Sequence, residues 1–247
     1  MSDIRKGLKM QIALTKKLTD AMGVRTIAND YANPLFSWTA NWAKVWDNRR
    51  LEDMLVLVNN ATRFTVAIYQ VKRKDLKNAA EIMHTAILNT LLGMNLNPEL
   101  VKAYMHLAGS VEFVPNRSRQ TAAWVTKAGL ECAFHIGREY NGIAKMFSDT
   151  IGASANYRYV NCSGAAEEGF IPYEAMSNAL AELTGMQVYR YRAFELLVTL
   201  DLEIYKAVRR IIVPADIKFD RLHKVLQSVY GWRNYHEYEF TFFSGNR

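Results

Sequence analysis

Between Leu35 and Val71 the apolar residues recur with a period of two, and from Lys74 onward they recur every three or four residues. A chain that changes period in this way builds a sheet and then covers it with helices, since each element has one apolar face to bury. Phe36, Trp38, Ala40, Trp42 and Trp46 fall mostly on even spacing and predict a half-buried strand over Leu35 to Trp46. The charged segment Asp47 to Asp53 reads as a turn, and Met54 to Asn60 (MLVLVNN) as a nearly continuous apolar strand. After a turn at Asn59-Asn60, Arg63 to Val71 (RFTVAIYQV) completes an antiparallel meander. Lys9 to Leu14 is a further short strand, and Thr15 caps a helix that stops at Gly23.

Helices follow the meander. Leu76, Ala79 or Ala80, Met83, Ile87 and Leu91 mark one helical face. Asn97-Pro98 at one end and Gly109 at the other bracket a second helix. SVEFVP is a short extended piece, and Arg117 to Tyr140 a long amphipathic helix. Residues 148–169 are rich in Ser, Gly, Ala and Asn and read as a linker, followed by a helix over about Tyr173 to Leu183. Two long strands, a helix ending at Gly231 and a third strand starting near Tyr235 form a second module. The expected fold class is α+β: an antiparallel β-meander packed on helices over residues 1–147, a linker and helix over 148–185, and a partial β-α-β module over 186–247.

The net charge of +7 allows attraction to polyanions, but the basic residues come in pairs and triplets, never in a block. Lys72, Arg73 and Lys74, the Arg117 and Arg119 pair at a helix start, and Arg210 on a strand are the candidate contacts for nucleic acid or another anion. The alternative role for each is a solvated face. Two cysteines, Cys132 and Cys162, are too few for a disulfide framework and fit a reducing, cytoplasmic setting. No run of apolar residues is long enough to cross a membrane, and no secretory signal opens the chain.

The densest polar cluster is His223, Trp232, Tyr235, His236, Glu237 and Glu239. His and Glu are the residue types for proton transfer or metal binding near neutral pH. On a strand from Tyr235, His236, Tyr238 and Phe240 share one face and Glu237 and Glu239 the other, so two histidines at most converge. The expected role of His223 is a hydrogen bond tying helix to strand, and that of Trp232 an aromatic plug. His84, His106 and His135 read as core or boundary residues, and Cys132 as a small core side chain. No phosphate loop, nucleophile elbow or HExxH motif is present, and no metal or cofactor is expected. Catalysis has no positive sign in these residues.

The segment Phe194 to Phe240 resembles the plasmid ORF-3-like family, first named from a root-inducing plasmid. The marks are FELLVTLDLEIYKAVRRIIVP, then ADIKFDRLHKVLQSVYGWRNYHEYEF, with an Arg-Arg-Ile strand, a Pro, a helix bearing Leu222, His223 and Gln227, a Gly-Trp helix end and a His-x-x-x-Phe strand. Lys9 to Phe134 is similar to a domain of unknown function that often precedes this module, through LTKKLTDAMG, the aromatics around Trp38, KRKDLKN and PNRSRQT. The resemblance implies further strands after the point where this chain stops at Arg247, so the module reads as truncated, with an unpaired sheet edge. It implies a plasmid or mobile-element setting and no reaction. The expectation is a non-catalytic binding or adaptor protein, with a protein partner or self-association through the exposed edge. The alternative is a nucleic-acid binder using the dispersed basic clusters.

Overall fold

The structure is a computed structural model, and it describes residues 9–27, 33–46, 51–139, 149–161, 169–190 and 192–242. Two compact units divide the chain, Met1–Tyr189 and Arg190–Arg247. In the first unit β1 (Met10–Leu14), β2 (Ser37–Trp46), β3 (Leu51–Asn59), β4 (Thr65–Tyr69) and β5 (Val111–Pro115) form one sheet in the order β4-β3-β2-β1-β5. The meander expected over β2, β3 and β4 is antiparallel, with Trp42 opposite Leu55 and Val56 opposite Ala67. The sheet is larger than that meander, because β1 pairs in parallel with β2 on one side and β5 on the other. Of the charged turn expected before β3, Leu51, Glu52 and Asp53 belong to the strand itself, and 47–50 lie outside the described residues.

Helices cover both faces. Met10, Ile12 and Leu14 of β1, Trp38 and Trp42 of β2, and Phe64, Val66 and Ile68 around β4 point to one side. There they bury against α1 (Lys16–Met22), α2 (Ala79–Gly93), α3 (Pro98–Ala108) and α6 (Pro172–Thr184). The alternate residues Val45, Met54, Val56, Val58, Ala67 and Tyr69 bury against α4 (Arg119–Glu139) and α5 (Asp149–Asn156). Period-two alternation on strands buried from both sides explains why β3 reads as a continuous apolar run. The end signals act as their chemistry requires: Asn97 Oδ1 accepts from the Glu99 N–H at 3.1 Å, and Gly23 and Gly185 take left-handed conformations that close α1 and α6. Thr15 departs from its expected capping bond; its hydroxyl donates to Asn41 Oδ1 at 2.8 Å instead.

Composition misread the first part of the expected linker, of which 148 and 162–168 lie outside the described residues. Residues 149–156 are α5, whose Ile151 and Ala155 are in the second core, and Met176 and Leu180 of α6 are in the first. Small residues there serve close packing: a Cβ on Gly152 would stand 3.1 Å from the Thr65 carbonyl oxygen. Asn156 is fully buried, accepting from the Thr65 N–H and donating to the Thr65 carbonyl, at 2.6 and 2.9 Å. Two further expectations change. His106 is exposed on the solvent side of α3, and Trp46, the last residue of β2, is exposed.

The second unit is a hairpin of β6 (Ala193–Leu202) and β7 (Tyr205–Pro214) with α7 (Phe219–Tyr230). Leu196, Val198 and Leu200 with Ala207, Ile211 and Val213 form its more covered face, and the Tyr230 hydroxyl donates to the Val198 carbonyl at 2.9 Å. The third strand expected from Tyr235 does not form among the described residues, so the module is β-β-α rather than β-α-β.

Two measurements test the core. The Trp38 indole N–H donates to the Tyr104 oxygen at 3.2 Å, and the Tyr104 hydroxyl donates to the Leu35 carbonyl at 2.9 Å. Burial pushes this phenol well above the usual tyrosine range. Tyr104→Phe leaves a buried indole N–H without its acceptor, and urea unfolding is expected to show a loss of about 1–3 kcal/mol. An unchanged midpoint overturns that role. Burial, reinforced by the neighbouring Glu131, pushes the Cys132 thiol up to about 12. A Cys162→Ser variant is therefore expected to present no reactive thiol to a disulfide reagent at pH 8 when folded, and one when unfolded in urea; prompt labelling of the folded chain overturns it.

Candidate functional site

The polar cluster singled out in the sequence converges. His223, Trp232, His236 and Glu237 all line one cleft of about 610 Å³ in the second unit. Its geometry starts at the end of α7, where Gly231 turns left-handed and the Trp232 N–H donates back to the Gln227 carbonyl at 2.8 Å. Asn234 also takes a positive φ of 55°, which asparagine tolerates better than most residues, and its N–H donates to Gln227 Oε1 at 2.9 Å. The chain thereby doubles back along the helix.

His223 is the buried centre of this arrangement. Its Nε2 lies 2.5 Å from Asn234 Oδ1, an oxygen that can only accept. The Tyr238 ring lies flat on the imidazole, 3.4 Å between centroids and 7° between planes. Phe240 and Phe242 pack on Phe219 at the start of α7, at 4.9 and 5.3 Å. Trp232 stacks on Tyr230 at 5.3 Å, and Arg209 lies over the Tyr230 ring. The alternation expected for Tyr238 and Phe240 therefore holds even though no strand forms: their rings meet α7, and the backbone of 235–242 has no backbone partner among the described residues. His223 does face this segment, but the ring it meets is Tyr238 rather than His236.

Chemically the cleft is a set of aromatic faces with exposed carboxylates, Glu237 and Glu239, at its rim. One face and one nitrogen of His223 are committed to Tyr238 and Asn234. Among the described residues no group of three or more His, Cys, Asp or Glu could hold a metal ion. Asn234 was not legible as a partner of His223, since eleven residues and a chain reversal separate them.

The basic candidates are not gathered in one place. Lys72 pairs with the buried Glu52 at 3.1 Å, and Arg73 and Lys74 begin the 3-10 segment before α2, exposed. Arg117 and Arg119 are exposed at the start of α4, where the Ser118 hydroxyl oxygen accepts from the Thr121 N–H at 3.2 Å. Arg210 pairs with Glu195 at 2.9 Å. A smaller cleft of about 230 Å³ in the first unit went unread, because the β3–β4 turn, α4 and α5 supply its parts: the Arg63 guanidinium stands 5.0 Å over the Trp124 ring, and Arg158 pairs with Glu131 at 2.7 Å.

Each of the two units matches a family of known proteins. Residues 192–246 match the Plasmid pRiA4b ORF-3-like protein family, a span that takes in β6, β7, α7 and the cleft. A stretch of 43 residues is 51% identical to the uncharacterized protein y4hQ of Sinorhizobium fredii, covering 17% of this chain and 22% of that protein. The chain thus spans about a fifth of the length of the curated relative it matches. Residues 11–175 match a domain of unknown function, DUF6933, from β1 into α6, and so include all five strands of the sheet and the helices on both its faces. With most of its length in that match, the chain belongs to the DUF6933 family.

Proposed function

We propose that this is a non-catalytic binding protein whose C-terminal unit captures an extended protein segment. The observation that carries the reading is where apolar surface is left uncovered. Of the twenty-two large apolar side chains exposed among the described residues, twelve lie between Phe194 and Phe242, in less than a quarter of the chain. Exposed apolar surface of that density marks an interaction site rather than an ordinary face. The cleft adds aromatic rings with polar edges, which suit protein contacts, and both strands of the hairpin keep an open edge among the described residues. His223, the most chemically capable side chain in the cleft, supports the fold through Asn234 and Tyr238, which favours recognition over proton transfer. The resemblance to plasmid ORF-3-like proteins supports a place among plasmid or mobile-element genes.

Selection of displayed random peptides against the whole chain tests this. Peptides recovered on the wild type are expected to bind with little dependence on salt, and about tenfold or more weaker to Trp232→Ala, whose ring is exposed at the cleft. Peptides that bind Trp232→Ala equally well overturn the assignment of the cleft. A duplex DNA that binds in about 50 mM salt and is lost by about 200 mM, with Lys72, Arg73, Lys74, Arg117 and Arg119 required, transfers the function to the basic clusters instead.

A further inference from the structure

The segment 235–242 alternates its side chains as a strand would but belongs to no strand or sheet among the described residues. Its rings at 238, 240 and 242 lie on α7, Glu237 and Glu239 alternate with them, and its backbone groups are unpaired among the described residues. In the same unit β7 is paired only with β6 among the described residues. The less covered face of the hairpin carries Leu197 and Ile212, 70% and 74% exposed, together with Lys206 and Arg210 from β7 and Asp201 and Glu195 from β6.

We infer that 235–242 of one copy adds to the open edge of β7 in a second copy, reciprocally, so that the chain is a two-fold dimer. The inference rests on the reading of the C-terminal unit as a binding module and names its partner. Charge selects the edge. Lys206 and Arg210 pair across the hairpin with Asp201 and Glu195, at 2.9 Å each. A strand bearing Glu237 and Glu239 beside β7 therefore lies next to the cations of these pairs and extends them, whereas beside β6 it would lie next to their carboxylates, and like charges on neighbouring strands repel. Two copies of β7 edge to edge would likewise set basic residues against each other. The added strand keeps its rings on its own α7, so nothing in either copy has to unfold. Because the same two copies exchange strands with each other, both segments and both β7 edges are used and the assembly closes at two, whereas donation passed head to tail would run on into a ring or filament.

Light scattering on the full chain is expected to give twice 28.3 kDa. Reversing one side of the contact, by Glu237→Arg with Glu239→Arg or by Lys206→Glu with Arg210→Glu, is expected to raise the dimer dissociation constant by about tenfold or more. Mixing the two reversed chains is expected to restore a dimer, since both junctions then join opposite charges. A wild type of single-chain mass overturns the inference, as does a dimer indifferent to both reversals or a mixture no tighter than its components. All four side chains are exposed, so circular dichroism of each variant should match the wild type. If one unfolds, mixed Glu239→Cys and Arg210→Cys chains decide: a disulfide-linked pair supports the contact and its absence overturns it. A monomer that still binds selected peptides through Trp232 removes self-association alone; loss of both removes the binding reading as well.

Discussion

Five residues between the meander and the edge strand β5 join the first sheet into one. β1 is the only strand among those described with parallel partners on both sides, so the antiparallel meander and β5 are one sheet only because Met10–Leu14 lies between them. Its partners are 26 and 101 residues away in sequence, as the registers Gln11–Ser37 and Met10–Val111 show. Such pairing has a large loop-closure cost and is compensated by burial of Met10, Ile12 and Leu14 under four helices. The Trp38–Tyr104–Leu35 relay then ties β2 to α3 with directional bonds where apolar packing alone would let the helix slide.

The second unit is built on different terms. A hairpin and one helix bury little, and aromatic stacking compensates: Tyr230 joins α7 to the strands, and His223 with Tyr238 joins it to the returning segment. The residues that secure this small fold are also those that shape its cleft. A ligand bound there, as proposed, would be held by the same rings that hold the unit, so its occupancy would be coupled to stability.

Local chemistry was readable from the sequence and distant geometry was not. Period-two aromatics, Asn97-Pro98, Gly23, Gly185 and Gly231 carry their meaning within a few residues, and the elements they predict are present. The parallel pairs of β1 leave no local trace, since each strand of a parallel pair looks the same whatever lies beside it. Small residues in 149–156 imitate a linker because close packing of α5 on β4 and the flexibility of a loop select the same side chains. The cleft was legible as a cluster because His223, Trp232, His236 and Glu237 are near in sequence, but Asn234 and the stacking of Tyr238 depend on a reversal that only Gly231 announces.

The two units treat their sheet margins in opposite ways. On the first sheet, Asn156 occupies both hydrogen-bonding groups of Thr65 on outer strand β4, and the Ile27 N–H donates to Phe113 on outer strand β5. At these two positions the outward backbone groups are occupied and cannot template a neighbouring strand. Asn156, Met176 and Leu180, which complete the core of the first unit, all precede β6 in the chain and so are synthesised before the hairpin. The first unit can therefore close its core before the exposed apolar side chains of 194–242 are made, which shortens the interval in which the apolar surfaces of both are uncovered together.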